Sequence, residues 1–335
     1  MPDTPLMTVT EVGVDIASAP APALQQPRTP VGRTPSSRRR SHRLQRKWFY
    51  IFISPWIVGL LAFTLIPMIM SLVLSFMKWD LLTAPTWVGF ANYAKAFTGD
   101  PLVWQSLGVT FYFAVTSIPL TLVVSLVIAI LLHRLPRGSQ VFRTIYYLPV
   151  IVSGIPVTIL WMYILNPDGG LMNRLLALIG IKGPGWIYDA KWVMPSLLLM
   201  SVWAVGGTVV IWLAGLSGVD GQLYEAAQLD GANRWQQFRH VTVPALAPVI
   251  TFNLVMGVIG ALQTFDQAYV MADGTSGAGP HNSMLFYAYY IYKNGFEAFK
   301  MGYASALAWI LFVIILVITL LIFRTTPLGT YSEDD

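Results

Sequence analysis

Six long apolar runs constrain this chain more than any other feature of its sequence. Each has at least 18 residues and few charged side chains, which is typical of a helix that crosses a lipid bilayer. The runs lie at residues 48–77, 105–132, 144–165, 192–216, 247–271 and 302–323. Only 11% of the chain is charged, against about 25% in a typical soluble domain. The sequence therefore predicts an all-α, polytopic membrane protein with six transmembrane helices.

The six runs divide the chain into a membrane domain and two tails. Residues 1–47 are rich in Pro, Ala, Ser and Thr and end in the basic stretch RRRSHRLQRK. We expect this segment to be disordered and solvated, and attraction to anionic lipid headgroups is a second interpretation. Residues 48–325 form the predicted membrane domain, and residues 326–335 form a short C-terminal tail.

The positions of Lys and Arg predict the orientation of the chain. If the N-terminus lies inside, the inner segments are 1–47, 133–143, 217–246 and 324–335. These segments hold 14 of the 21 Lys and Arg residues, and eight of the 14 are in the N-terminal tail. Inner loops of membrane proteins carry such an excess of positive charge. We therefore expect both termini on the cytoplasmic side.

The chain lacks the residue patterns of catalytic, metal and nucleotide sites. It has no cysteine, which excludes disulfides and thiolate metal sites. Its four histidines are scattered, and neither H-E-x-x-H nor the phosphate-binding loop G-x-x-x-x-G-K-[ST] occurs. The pI near 9.3 comes from basic residues that the membrane orientation explains, so we expect no nucleic-acid partner. We also expect no cofactor, no metal and no catalytic residue.

A polar segment with the sequence LYEAAQLDGANRWQQFRHVTVP interrupts the apolar sequence between the fourth and fifth runs. Asp220 is suited to cap the N-terminus of a short helix over residues 221–230. Gly231 is suited to end that helix in a left-handed conformation. Asn233 followed by Gln236 resembles a capping box, which predicts a second short helix to about residue 240. We expect a helix–turn–helix outside the bilayer.

The side chains of this loop, residues 217–246, allow two interpretations. Ala226 and Ala227 are small, so another backbone is able to approach closely. Larger apolar side chains lie beside them at Leu223, Tyr224 and Leu229. These observations leave two interpretations open: the loop docks a partner, or it is a helical loop without a partner.

The loop resembles the EAA loop of ATP-binding cassette importer permeases. That signature is Glu-Ala-Ala, three residues, Gly, nine residues, then an aliphatic residue, any residue, an aliphatic residue and Pro. The matching residues are Glu225, Ala226, Ala227, Gly231, Val241, Val243 and Pro244. Val replaces the usual Ile and Leu, and Gly221 stands where many relatives have Pro. The resemblance implies a cytoplasmic coupling helix that contacts an ATPase through Glu225, Ala226, Ala227, Asp230, Gly231 and Pro244.

Three further stretches resemble the carbohydrate permeases similar to the larger subunit of the maltose transporter. They are WVGFANYAKAF at 87–97, FRTIYYLPVIVSGIPVTILWMYILNPDGGLMNRLL at 142–176 and GTSGAGPHNSMLFYAYYIYKNGF at 274–296. The large outer domain of the maltose protein has no counterpart in length here. The resemblance implies a multi-pass transport subunit of the bacterial inner membrane, surrounded by lipid. Its implied partners are a second permease subunit, a cytoplasmic ATPase dimer, an extracytoplasmic substrate-binding protein and a sugar.

Polar and small residues in the fourth and fifth runs are candidates for a sugar route. Such residues also occur where membrane helices pack together, so interhelical packing is the alternative interpretation. On the fifth run, residues at three- and four-residue steps share one face, which includes Asn253, Gly257, Gly260, Thr264 and Gln267. The candidates on the fourth run are Ser201 and Thr208, together with Trp203, for which packing is equally open. Asp266, the only acid or base inside the six runs, is open to a pathway or an interfacial role.

Other functions remain open on the sequence. A secondary active transporter needs no ATPase, but it usually has inverted repeats and charged residues in mid-membrane. A membrane enzyme is another alternative, but it would need a catalytic constellation, and the sequence shows none. An importer for a glycerol-phosphate-type substrate is an alternative to a sugar importer.

Overall fold

The computed structural model describes the chain in four stretches, residues 35–135, 139–152, 154–273 and 278–325. The predicted C-terminal tail, 326–335, and residues 1–34 of the predicted N-terminal tail lie outside them. The chain divides into two compact units, Met1–Phe63 and Thr64–Asp335. The packing described below lies within the second unit.

Helices make up most of the described chain. Up to residue 203 the α-helices are α1 (Pro35–Leu60), α2 (Ile66–Ser75), α3 (Ala91–Ala94), α4 (Pro101–His133), α5 (Ser139–Ile151), α6 (Ile155–Ile164), α7 (Leu171–Leu178) and α8 (Ala190–Trp203). From residue 206 they are α9 (Gly206–Ser217), α10 (Gly221–Leu229), α11 (Arg234–Gln237), α12 (Val243–Ala245), α13 (Ala247–Leu262), α14 (Asp266–Asp273), α15 (Tyr287–Tyr292) and α16 (Met301–Thr325). π-helical turns form at Leu61–Leu65, Lys95–Gly99, Phe238–Thr242 and Lys293–Glu297, and 3-10 turns at Trp186–Tyr188 and Pro280–Asn282. The strands β1 (Met77–Lys78) and β2 (Thr86–Trp87) pair antiparallel.

Helix α1 begins inside the predicted tail. Its backbone is helical over residues 35–47, where the sequence predicts disorder. The physical reason is that Arg, Leu, Gln and Lys, which make up most of this stretch, have high helix propensity and extend the apolar helix that follows.

Four helical stretches of the described residues are long and apolar enough to cross a membrane: Trp48–Ser75, Pro101–His133, Ala247–Ala272 and Met301–Thr325. The number rises to six if two bent pairs, α5 with α6 and α8 with α9, each count as one span. These segments coincide with the six apolar runs. In the most apolar part of each long stretch at most 33% of the residues are buried. Most of their apolar side chains therefore face outward, as in a helix surrounded by lipid or by partner helices.

The third apolar run does not form the continuous helix that the sequence predicts over residues 144–165. It is divided between α5 and α6, and the two helices are bent by more than 40°. Gly154, which precedes α6, has a φ of +83°, a conformation that residues with a Cβ rarely adopt. Pro156 then occupies the first turn of α6, where its missing N–H is not needed. The Gly-Ile-Pro sequence thus begins the second helix of the bent pair.

The fourth apolar run is also bent rather than continuous over residues 192–216. α8 and α9 meet at an angle of 47°. Just after the bend, Gly206 approaches α5 so closely that a Cβ would overlap the carbonyl oxygen of Tyr146. The bend therefore brings the backbone of α9 against the backbone of α5.

Helix α4 packs against α8, α9, α13 and α15. Two of its hydroxyl groups fix neighbouring elements. Ser125 Oγ accepts a hydrogen bond from Trp212 Nε1 of α9 at 2.9 Å. Thr110 Oγ1 accepts one from the backbone N–H of Tyr287, at the start of α15, at 2.8 Å. One side of α4 therefore contacts these helices, and it forms a wall of the spaces between them.

One carboxylate links the start of α4 to α15 and α16. Asp100 Oδ2 accepts hydrogen bonds from the hydroxyl groups of Tyr290 and Tyr303, at 2.5 and 2.7 Å. Burial, together with the hydrogen bond to Asp100, raises the pKa of Tyr290 to about 12. The Tyr290 hydroxyl therefore stays protonated and donates at neutral pH.

Candidate functional site

The polar loop between α9 and α13 folds as short capped helices. At the start of α10, Asp220 Oδ1 accepts a hydrogen bond from the backbone N–H of Gln222 at 2.9 Å. Gly231 follows α10 with a φ of +80°. Asn233 and Gln236 exchange side chain–backbone hydrogen bonds of 2.7 and 2.9 Å at the start of α11. The predicted caps and helix–turn–helix are therefore confirmed.

The second half of the loop is helical for longer than the sequence predicts. Beyond residue 240 the chain continues through the π-helical turn Phe238–Thr242 into α12, where Pro244 occupies the first turn. Tyr224 and Thr242 share a hydroxyl–hydroxyl hydrogen bond of 2.9 Å. Tyr224 is half-buried and therefore ties α10 to the π-helical turn.

The outer face of α10 is exposed. Of the residues that the EAA resemblance assigns to coupling, Ala227 is half-buried, and the exposed ones are Glu225, Ala226, Asp230, Gly231 and Pro244. Leu223 and Leu229 are 48% and 90% exposed. Exposed leucines beside small residues on an otherwise polar loop form a surface suited to a protein partner.

A cavity of about 250 Å³, here called the α8 cavity, is lined by residues of α4, α8, α13 and α14. It brings together four of the residues predicted for a sugar route, which are Ser201, Gly260, Thr264 and Gln267. The hydroxyls of Ser201 and Thr264 donate to the backbone oxygens of Leu197 and Gly260, at 2.9 and 3.3 Å. Their oxygen lone pairs remain able to accept hydrogen bonds from a ligand.

A second cavity of about 230 Å³, here called the α9 cavity, lies between α4, α9 and α13. It holds the other two predicted residues, Thr208 and Asn253. The two cavities share Ile118, Thr121 and Gly257, so they adjoin along the same stretch of α4 and α13. All six predicted residues thus line two neighbouring cavities.

Asn253 has a buried donor at the wall of the α9 cavity. Its side chain is 5% exposed, and its Nδ2 has no hydrogen-bond partner among the described residues. An unpaired buried polar group costs about 1–3 kcal/mol. A ligand that brings an acceptor oxygen would satisfy this amide.

Sequence reasoning missed the contribution of α4. Ser117 and Thr121 line the α8 cavity, and Thr121 lines the α9 cavity as well. The sequence contains a signal for them in the polar stripe Ser106, Thr110, Ser117, Thr121 and Ser125, which recurs at steps of four and seven residues. Thr110 and Ser125 of the same stripe serve helix packing. The stripe alone therefore does not reveal which members face a cavity.

Two further residues for which a role in the sugar route was open, Asp266 and Trp203, lie outside both cavities. Asp266 opens α14 and is exposed, and it lines neither the α8 nor the α9 cavity. Trp203 packs edge-to-face against Trp161 of α6, with ring centroids 5.9 Å apart. The packing interpretation of Trp203 is therefore the one that the structure supports.

Both cavities are uncharged, and each combines a mostly apolar lining with a few polar groups. Their described linings contain hydroxyl and amide groups and no Asp, Glu, Lys, Arg or His. Within the described residues, no group of three or more His, Asp or Glu is arranged to hold a metal ion. Such linings are able to exchange hydrogen bonds with a neutral polar molecule, but they offer no acid–base pair.

Comparison with known protein families decides the class of the chain. The family model described as the inner membrane component of binding-protein-dependent transport systems matches residues 121–326, more than half of the sequence. The chain belongs to this family. It is a permease, the non-catalytic membrane component of an ATP-binding cassette transporter, and a multi-pass protein of the bacterial inner membrane. The predicted transport subunit is confirmed, and the membrane enzyme and the secondary transporter are excluded.

Relatives of this permease match it along most of its length. It is 43% identical over 296 residues to the probable ABC transporter permease protein YesP of Bacillus subtilis (strain 168), covering 88% of this chain and 95% of YesP. It is 33% identical over 279 residues to the lactose transport system permease protein LacF of Rhizobium radiobacter, covering 82% and 92%. The predicted resemblance to ATP-binding cassette importer permeases of the carbohydrate branch is therefore confirmed.

A solved structure shares the fold of this permease. It is a chain of a bacterial alginate ABC transporter in complex with an alginate pentasaccharide-bound periplasmic protein. The match has a TM-score of 0.73 at 24% identity and covers 85% of this chain and 96% of the other.

Proposed function

We propose that this permease forms half of the translocation pathway of an ATP-driven importer for a sugar or oligosaccharide. Its partners in this proposal are a second permease, a dimer of cytoplasmic ATPases and an extracytoplasmic substrate-binding protein. The names of the lactose permease LacF and of the alginate importer support a carbohydrate. The periplasmic protein in the alginate complex supports delivery by a binding protein.

The observation that carries the proposal is the set of uncharged hydroxyl and amide groups among the otherwise apolar residues that line the α8 and α9 cavities. Sugars present hydroxyl groups that both donate and accept hydrogen bonds. Ser117, Thr121, Ser201, Thr264 and Gln267 offer complementary groups on three sides of the α8 cavity. Gly257 and Gly260 add no side-chain volume, which leaves room for a sugar ring.

A glycerol-phosphate-type substrate fits these cavities less well than a sugar. A phosphate dianion that leaves water needs cationic or multiple N–H donors. No Lys or Arg is present in the described lining of either cavity. The uncharged lining therefore favours a neutral substrate, or one whose charge lies outside the cavities.

In this proposal α10 is the coupling helix. Its exposed Leu223, Ala226 and Leu229 contact the ATPase, and Glu225 and Asp230 lie at the edge of the contact. The capped ends of α10 support this role, because caps stabilise a short helix that has to keep its shape when a partner contacts it.

Uptake by the native host tests the function. Deletion of the gene for this permease is expected to abolish ATP-dependent uptake of at least one labelled carbohydrate from a panel of neutral and acidic oligosaccharides. Uptake of glycerol 3-phosphate should be unchanged. Loss of glycerol 3-phosphate uptake with every carbohydrate unaffected would contradict the proposed substrate class. Uptake that continues when ATP is depleted but a proton gradient is maintained would contradict ATP-driven import.

Gln267→Leu is expected to reduce carbohydrate uptake about 5- to 10-fold without loss of the protein from the membrane. The amide lines the α8 cavity, and one hydrogen bond contributes on the order of 1 kcal/mol. Gln263→Leu is the matched control, because Gln263 is an exposed amide outside both cavities. Initial rates of uptake across a range of substrate concentrations provide the measurement. Equal kinetics for the two variants and the wild type would favour helix packing as the role of Gln267.

Single-cysteine labelling tests the orientation, since the chain has no cysteine of its own. We propose six spans with both termini in the cytoplasm. A membrane-impermeant maleimide added to intact cells should then label Lys182→Cys but not Arg239→Cys, and both side chains are exposed. In inverted membrane vesicles the pattern should reverse. Labelling of Lys182→Cys only in inverted vesicles would exclude this topology.

A further inference from the structure

A third cavity, separate from the α8 and α9 cavities, lies at the polar loop. It has a volume of about 520 Å³ and is lined by the ends of α4 and α9 and by residues of the loop from α10 to the π-helical turn. We call it the loop cavity. It shares no lining residue with the other two cavities. Its volume is in the range of about 300–1,000 Å³ that is typical of small-molecule sites.

Two arginines converge on the loop cavity from distant parts of the chain. Arg134 follows the end of α4, and Arg234 is the first residue of α11. No Asp or Glu is among the lining residues, and neither guanidinium is paired with a carboxylate in the described part of the chain. His133 lies beside Arg134 in the same lining. The cavity is therefore a cationic site without an internal counter-ion, which favours an anionic ligand.

Part of the loop cavity wall is hydrophobic. Ile130 comes from the last turn of α4, Leu216 from the last turn of α9, and Phe238 from the π-helical turn. α4 is one of the helices that are long and apolar enough to cross a membrane. Arg134 thus lies where an apolar helix ends. In the proposed six-span arrangement, this end of α4 is at the depth of the lipid headgroups. A ligand that combines an anionic group with hydrocarbon matches both parts of the lining.

We propose that the loop cavity binds the phosphate group of an anionic phospholipid headgroup. Arg134 and Arg234 both donate hydrogen bonds to the phosphate oxygens, because a guanidinium is suited to bidentate contact with phosphate. The first carbons of the lipid lie against Ile130, Leu216 and Phe238. A free phosphate compound shares the anionic chemistry, but it would leave these apolar walls uncovered. The bound lipid links the end of α4 to the coupling loop and stabilises their contact.

Native mass spectrometry of the purified full-length permease tests the proposal. The protein is exchanged into mixed micelles that contain equal amounts of phosphatidylglycerol and phosphatidylcholine with the same acyl chains. The wild type is expected to retain phosphatidylglycerol in preference to phosphatidylcholine. Arg134→Gln/Arg234→Gln should weaken this retention by on the order of 10-fold, since each arginine near an anionic headgroup contributes to its binding.

The control for net charge is Arg143→Gln/Arg239→Gln. Both residues are exposed and neither lines the loop cavity, so this double variant should retain phosphatidylglycerol as the wild type does. Equal loss in the two double variants would show a general attraction of charge and would overturn the site. Unchanged retention in Arg134→Gln/Arg234→Gln would overturn it too.

Two measurements on the wild type keep the proposal testable even if a variant does not fold. Equal retention of the two lipids by the wild type would contradict an anionic headgroup site. Displacement of phosphatidylglycerol by millimolar glycerol 3-phosphate or inorganic phosphate would assign the site to a free phosphate and not to a lipid. If an acidic segment of the partner ATPase fills the cavity instead, the purified permease should show no preference for phosphatidylglycerol.

Discussion

Gly231→Leu is expected to abolish most ATP-driven uptake while the permease still reaches the membrane. Gly231 has a φ of +80°, where a residue with a Cβ is strained by roughly 1–2 kcal/mol. A Cβ at this position meets no atom within 4 Å, so the permease itself has room for the new side chain. The leucine instead projects from the surface that we propose as the ATPase contact. The measurements are co-purification of the ATPase and initial rates of carbohydrate uptake.

Gly180→Leu separates backbone strain from loss of the partner contact. Gly180 has a φ of +76° and also has nothing within 4 Å of an added Cβ, but it lies in the loop after α7. Gly180→Leu should therefore cause similar backbone strain, but the ATPase should still bind. Glu225→Ala should have a milder effect than Gly231→Leu, because an exposed ion pair contributes only about 0–1 kcal/mol. Wild-type uptake and ATPase binding in Gly231→Leu would contradict the proposed coupling role of the loop.

Gly206→Ala is expected to destabilise the permease strongly, by about 3 kcal/mol or more. The new Cβ would overlap the carbonyl oxygen of Tyr146 and lie 3.2 Å from the Cα of Tyr147. Both are backbone atoms of α5, so no side chain is able to rotate away and α9 must separate from α5. The expected result is a lower yield of folded protein in the membrane and a lower melting temperature in detergent.

Gly207→Ala is the matched control for this prediction. An added Cβ there meets only the methyl groups of Val150, at 3.9 Å, which is an ordinary van der Waals contact. The two variants make the same chemical change at adjacent positions of α9. Gly207→Ala should therefore fold as the wild type does. Equal melting temperatures for Gly206→Ala and Gly207→Ala would show that α5 and α9 are not in backbone contact.

Much of the local structure of the polar loop is predictable from its sequence. Asp220, Gly231 and the Asn233–Gln236 pair form the predicted caps. Capping interactions connect residues two or three positions apart, so neighbouring residues suffice to specify them. The inward orientation of Tyr224 was not predictable in this way, because its partner Thr242 is 18 residues away.

The face that the polar residues of the fifth run share was predictable from the sequence, and their role in a sugar route stays a prediction. Helical periodicity places Asn253, Gly260, Thr264 and Gln267 on one face, and each lines one of the two adjoining cavities. The same periodicity exists in α4, but there Thr110 and Ser125 bind neighbouring helices whereas Thr121 faces the cavities. Periodicity identifies a shared face and does not reveal what lies opposite that face.

The apolar runs were sufficient to predict a membrane protein, because hydrophobicity acts over short stretches of chain. The EAA spacing then indicated a permease through its resemblance to a known family. The packed structure was needed to locate the bend between α8 and α9, the α4 wall of the cavities and the position of Arg134 and Arg234 at one cavity. Each of these depends on contacts between residues far apart in the sequence. Their physical cause is the close approach of whole helices, as at Gly206 and Tyr146, where the absence of a single Cβ allows two backbones to touch.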